Sequence, residues 1–348
     1  MLMFASYTCT NSFTLELKSN SAHAPQTVPS LVIGLTHSLN EGSKSHLRHW
    51  PPIIDKFSSL KLAEELLPVI GFPVKPMLLE TRSKPFDSKD YLFEWKVDGI
   101  RLLMFYSDKA IRLQSRTGRD CTSAFFELVP EISAQEAVLD GEVTVLTNGR
   151  PDFEAVMQRY LANPDRAKNM ARKTPASYVV WDILWNDGKS TMGLPLTTRK
   201  QILAGILEDK NGISKIDWVD QKGIDLWHSI KELKLEGMVA KKKNSYYTPG
   251  RRSAAWIKIK NYQELVVNVF GYSKKDGGIL VGGDRIQGHA IGMNTDERTV
   301  LKELLDRYGK VERQAVYLPP GIKGRVKFTT WTAKGNMRDC SWVGFELI

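Results

Sequence analysis

The chain has 348 residues, of which 42% are hydrophobic and 25% charged, with a net charge of +10. That length supports two domains with real cores, and the composition excludes a disordered or fibrous chain. The longest apolar stretch, residues 66–74, is broken by Pro68 and Pro73, so nothing reads as a membrane span, and no secretory signal is visible.

Residues 1–52 are rich in Ser, Thr, Asn and His without a sustained period and are expected to form an irregular, disordered extension. A helical lead-in follows over 53–73, with one amphipathic helix expected over 58–69. From 74 to 262, apolar β-branched and aromatic runs predict strands at 91–96, 101–106, 111–115, 137–146 and 177–185. Helical periodicity predicts helices at 153–162, 196–209 and 224–233. Hairpin-linked strands interleaved with helices point to an α+β domain built on antiparallel sheet. Beyond 262 the texture changes to short strands with Gly-rich turns and one helix at 296–309. This pattern predicts a small OB-fold β-barrel over 263–348.

Charge is concentrated as well as positive. Residues 231–260 carry nine Lys/Arg against two acids, and these cations alternate with apolar residues in runs such as WIKIK. Such a segment suits a polyanionic partner better than a merely solvated face does. Three cysteines, Cys9, Cys121 and Cys340, fit neither a zinc spacing nor a disulfide framework and favour a reducing, cytoplasmic setting.

Five short stretches carry the chemistry: EWKVDGIR (94–101), SRTG (115–118), LDGE (139–142), EGMVAK (236–241) and WIKIK (256–260), with YVVWDIL (178–184) between the third and fourth. Lys96 ends an apolar strand, where an amine is costly without partners. Paired with Asp98 alone it reads as a strand-end lysine; beside the other four stretches it reads as a nucleophile. An attacking amine must be unprotonated, and burial with nearby cations lowers a lysine's pKa. Lys241, Lys258 and Lys260 are the cations expected to do this and to stabilise phosphate charge.

This set resembles the covalent nucleotidyltransferases, and the phrases FPVKPMLLE and YYTPGRRSAAWIKIKN resemble the bacterial ATP-dependent DNA ligases of the end-joining type. The resemblance covers about 72–348 and implies an adenylation domain followed by an OB domain. It implies that Lys96 carries AMP, that Asp98 and Gly99 shape its turn, and that Arg101 works at phosphates. It further implies that Arg116 grips the nick's 5′-phosphate, Glu142 binds ribose, Trp181 stacks on adenine and Glu94 meets the adenine edge. Glu236 is implied as a metal-associated acid, with Lys241, Lys258 and Lys260 as phosphate ligands and Arg251 or Arg252 assisting. ATP and Mg²⁺ (or Mn²⁺) are the implied cofactors. Nicked duplex DNA is the implied partner of a monomeric, nucleoid-associated cytoplasmic enzyme; a Ku-like protein or a clamp is a candidate recruiter that the sequence does not identify. The chain departs from the family in lacking a lysine after Arg338, the candidate for a C-terminal adenylation motif. An RNA ligase, a capping-type nucleotidyltransferase and a non-enzymatic OB-fold nucleic-acid binder are the alternatives.

Overall fold

The computed structural model describes residues 72–332 and 334–346, together with two short paired strands at Leu15–Leu17 and Leu31–Ile33. The helix expected over 58–69 lies outside the described residues. The chain divides into two compact units, Met1–Ile259 and Lys260–Ile348.

In the first unit the main elements are β1 (Leu78–Thr81), β2 (Tyr91–Trp95), β3 (Ile100–Ser107), β4 (Ala110–Ser115), β5 (Glu136–Thr147), α1 (Phe153–Tyr160), α2 (Pro164–Lys173) and β6 (Ala176–Asn186). They continue with α3 (Leu196–Ile206), β7 (Trp218–Asp220), α4 (Gly223–Glu232), β8 (Gly237–Lys242) and β9 (Arg252–Lys260). Two sheets result. One orders its long strands β6-β5-β3-β4; the other runs β7-β2-β8-β9-β1. Pairing is largely antiparallel, as expected, but β9 pairs β1 in parallel and β6 pairs Ile213–Lys215 in parallel.

The central strands of both sheets are buried on two faces, and period 2 sorts their side chains. On β3, Leu102, Met104 and Tyr106 enter a core shared with Val156 of α1 and Leu203 of α3. Leu103 and Phe105 point the other way, into a cluster with Trp256 of β9. On β2, Phe93 and Trp95 pack on Leu226 and Ile230 of α4 with Met238, Ala240, Ile257 and Ile259. The alternate positions Glu94, Lys241, Trp256 and Lys258 are thereby turned to the opposite face. This alternation is why chemistry-bearing residues can sit inside apolar-looking strands.

Helix α2 was not visible as a period because it has no apolar stripe: only Ala167 is fully buried. Its start is nevertheless encoded, with the Asn163 side chain accepting from Arg166 N at 2.9 Å and Pro164 in the first turn.

The second unit contains β10 (Gln263–Ser273), β11 (Ile279–Gly282), β12 (Gly288–Ala290), α5 (Thr295–Tyr308), β13 (Ala315–Tyr317), β14 (Lys323–Phe328) and β15 (Ser341–Phe345). Strands run β12-β11-β10-β14-β15, and an Ile291–Ser341 bridge returns β15 to the end of β12. Val267, Val269, Val281, Leu301, Val326 and Trp342 fill the interior. Among the described residues no helix is long and apolar enough to cross a membrane.

Candidate active site

Lys96 follows β2 by one residue, and its backbone N–H donates to Gly237 O at 2.8 Å. That bond brings EWKVDGIR and EGMVAK side by side, and Lys96 Nζ lies 2.6 Å from Glu236 Oε2. Burial alone would push the Lys96 amine down. The carboxylates of Glu236 and Glu142, with Asp98, outweigh it and hold the amine above its ordinary value. The expectation that downstream lysines depress this pKa is therefore corrected: in the resting site the nearest charges are anions.

The depressed amine is Lys241. It is 2% exposed, and burial, with Lys200 as a second cation, brings it down to about 8 although Glu94 opposes the shift. Its Nζ is 2.7 Å from Glu94 and 4.3 Å from the centroid of Trp256. Glu94, itself 1% exposed, also takes Lys200 at 2.6 Å. Burial would raise the Glu94 carboxyl, but the two lysines hold it below its ordinary value. Its side chain is thus committed to two buried cations rather than presented as an isolated acceptor.

Arg101 is equally committed. Its guanidinium meets Asp140 in bidentate fashion at 2.9 and 2.6 Å, donates to Met77 O at 2.6 Å and reaches Tyr247 Oη at 3.2 Å. Tyr247 in turn donates to Asp140 at 2.9 Å. Arg101 is a brace between β3 and β5, where the resemblance implies a residue working at phosphates, and its pKa is raised against burial by Asp140.

Glu142 pairs in register with Arg101 on β3 and Val179 on β6. Burial pushes its carboxyl up to about 8, with Lys96 pulling down and Glu236 pushing up. It is a largely protonated acid at neutral pH, able to donate as well as accept. Trp181 sits where the β6–β5 register slips between Val180 and Asp182; such a bulge re-aims a side chain. The Trp181 ring lies 5.1 Å from Lys241 Nζ, and its buried Nε1 has no hydrogen-bond partner among the described residues.

The Asp-Gly pairs of EWKVDGIR and LDGE do more than turn the chain. Gly141 lies within β5, where a Cβ would come 2.5 Å from Val179 O and 2.7 Å from the Tyr178 ring. At Gly99 a Cβ would overlap the Val143 carbonyl and approach Glu142 Cγ to 2.9 Å. Both glycines permit close approach of backbone at the very strands that carry Lys96 and Glu142.

Among the remaining candidates, Arg116 is exposed in the turn after β4 and makes no ion pair among the described residues. Lys258 is half-buried on β9, on the same strand face as Trp256. Lys260 falls in the second unit, where it pairs with Asp339. The Arg252 guanidinium donates to Leu79 O, while Arg251 is exposed. Sequence reasoning missed Lys200, Tyr247 and Asp140 as partners, and also the fully buried Arg199–Asp182 pair at 2.7 Å. For Asp140, Asp182, Arg199 and Lys200 the only local signal was a charged residue inside an apolar strand or helix; Tyr247, in the loop before β9, gave none.

A half-buried amine beside two carboxylates, a tryptophan over a second, fully buried amine and a two-sheet scaffold together suit the chemistry of a nucleotidyltransferase-type ligase domain. The model of the ATP-dependent DNA ligase domain matches residues 76–260. The SPbeta prophage-derived DNA ligase-like protein LigB of Bacillus subtilis is 39% identical over 204 residues, covering 58% of this chain and 73% of that protein. The multifunctional non-homologous end joining protein LigD of Mycolicibacterium smegmatis is 30% identical over 301 residues. That match covers 78% of this chain but only 38% of the relative. A solved Lig E DNA ligase, whose fold alone is informative at 17% identity, superposes with a TM-score of 0.55 over 78% of this chain and 100% of its own. The chain belongs to the ATP-dependent DNA ligase domain family: it is an enzyme of the DNA ligase class that uses ATP.

Proposed function

We propose that the chain seals 5′-phosphate/3′-hydroxyl nicks in duplex DNA through AMP carried on Lys96. The observation that carries this reading is the position of Lys96 Nζ, 2.6 Å from Glu236 and facing Glu142. In the first step Lys96 loses its proton, for which Glu236 Oε2 is the nearest acceptor, and the amine attacks the α-phosphorus of ATP. An N–P bond forms as the α–β P–O bond breaks, and pyrophosphate leaves. An oxygen of the nick's 5′-phosphate then attacks the lysyl-AMP phosphorus, and the amine recovers a proton as the P–N bond breaks. Finally the 3′-hydroxyl, losing its proton, attacks the 5′-phosphorus and expels AMP.

Trp181 stacks on adenine, and Glu94, anchored by Lys200, meets the edge of the base. Glu142, protonated near neutrality, bonds ribose. Lys241, Lys258 and Lys260 offset phosphate charge. Arg101 acts by bracing Asp140 beside Glu142, and exposed Arg116 receives the 5′-phosphate. Arg251 suits the assisting role better than Arg252, whose guanidinium is held by Leu79.

Mg²⁺ (or Mn²⁺) is implied by the family. Among the described residues no group of three or more His, Cys, Asp or Glu could cage a metal. Mg²⁺ is ordinarily held by one or two carboxylates with substrate phosphates and water, a demand that Glu236 fits. When bound, the ion would neutralise this carboxylate and so weaken its hold on the Lys96 proton.

The returning ring of strands in the second unit, with its helix between β12 and β14, supports an OB-fold barrel that grips the duplex. Buried free thiols at Cys121 and Cys340 support a reducing setting. End joining in the names of relatives supports a role in DNA repair. Incubation with nicked DNA, ATP and Mg²⁺ should give a sealed strand. Sealing of nicked RNA alone would point to RNA ligation, and use of GTP in place of ATP to capping chemistry.

A further inference from the structure

We propose that α2 is a docking surface for the phosphate backbone of the duplex arm beside the nick's 5′-phosphate, an inference that rests on the nick-sealing reading. Arg166, Lys168, Arg172 and Lys173 are all exposed on this ten-residue helix, against one acid, Asp165. None of the four makes an ion pair among the described residues. Solvated helix faces usually interleave acids that pair at i,i+4; this face does not. The cations do not hold the helix in place either. Buried Ala167 anchors it, and the helix packs against the short turn Thr122–Ala124.

That turn begins four residues after Gly118 of the SRTG stretch, so α2 adjoins the segment that carries Arg116. Arg119, also exposed, places its guanidinium 4.7 Å over the ring of Tyr160, the last residue of α1. Arg159, buried beside it, pairs with Glu127, whose Oε1 also accepts from Ala176 N at 3.2 Å. Arg116 and Arg119 therefore lie on the segment that leads, past Asp120, into the turn against which α2 packs, and Arg159 of the helix that ends in Tyr160 is paired to Glu127. Ten helical residues span about 15 Å, the rise of roughly four phosphates along one strand. Nothing in this patch reads a base; it offers cations at phosphate spacing, which is how a ligase indifferent to sequence would hold a duplex.

The test is nicked-duplex binding by the full chain over a range of salt without divalent metal, for wild type and the Arg166→Gln/Lys168→Gln/Arg172→Gln/Lys173→Gln variant. Losing four phosphate contacts should make the slope of log Kobs against log[salt] shallower by about 3–4. Self-labelling with α-labelled ATP, which needs no DNA, should stay within about twofold of wild type. An unchanged salt slope in a variant that still self-labels overturns the proposal, as does a loss of affinity independent of salt. Should the quadruple variant not self-label, the half-variants Arg166→Gln/Lys168→Gln and Arg172→Gln/Lys173→Gln decide, each expected to lower the slope by about 1–2. A wild-type protein that neither self-labels nor seals would instead defeat the ligase reading itself.

Discussion

Replacing Glu94 by Gln keeps the shape of the side chain and removes its charge. Glu94 is 1% exposed and lies 2.6 Å from Lys200 and 2.7 Å from Lys241, each also nearly fully buried. The substitution strands two ammonium groups that now share one anion. Breaking a buried ion pair by removing one partner costs about 3–5 kcal/mol, far more than the net worth of the intact pair. For a domain of this size each kcal/mol lowers Tm by roughly 2–4 °C, so a fall of about 6–20 °C is expected. Urea unfolding at neutral pH, followed by tryptophan fluorescence, measures it directly. Adding Lys241→Met to Glu94→Gln should recover part of the loss, because one of the two stranded charges is gone. A loss below about 1 kcal/mol for Glu94→Gln, with no recovery in the double variant, would refute the claim that the triad is one buried unit.

Glu142 titrates near 8 in the folded chain against 4.5 for an ordinary glutamate. Its folded pKa is raised, so its contribution is complete below about 4.5 and is lost as pH climbs through about 8. Unfolding by urea at about pH 5.5 and about pH 8.5 should show wild type losing more stability across that window than Glu142→Gln; equal losses would count against the shift. Gly99→Ala should destabilise by about 1–3 kcal/mol and disturb Glu142, because the added methyl overlaps Val143 O. Thermal melts check the first effect and ATP-dependent self-labelling the second. Arg116→Ala should leave self-labelling intact but slow transfer of AMP to a 5′-phosphorylated nick by at least about tenfold, read in single-turnover gels; equal slowing of self-labelling would move Arg116 to the nucleotide step.

The strand scaffold was legible because both faces of β2, β3, β5 and β6 are buried, which leaves long β-branched and aromatic runs in the sequence. The site was legible in order but not in contact. That Lys96 meets Glu236 depends on the β2–β8 register, and Tyr247 reaches Asp140 across 107 residues; neither pairing is a local pattern. Hence the sign of the Lys96 shift came out reversed: from the chain alone the nearby charges looked like lysines, and in space they are carboxylates. The Asp98-Gly99 pair suggested a turn because glycine's turn preference is local, while its further use here, admitting Val143 O, depends on a neighbouring strand. Helix α2 escaped notice because a helix with only Ala167 fully buried leaves no hydrophobic period to read.

The most direct measurement of the central claim is to incubate the protein with α-labelled ATP and Mg²⁺, denature it, and map the label by peptide mass. The account predicts one AMP, stable to denaturation, on Lys96, and none in Lys96→Ala; label on any other residue, or undiminished labelling of Lys96→Ala, would contradict it.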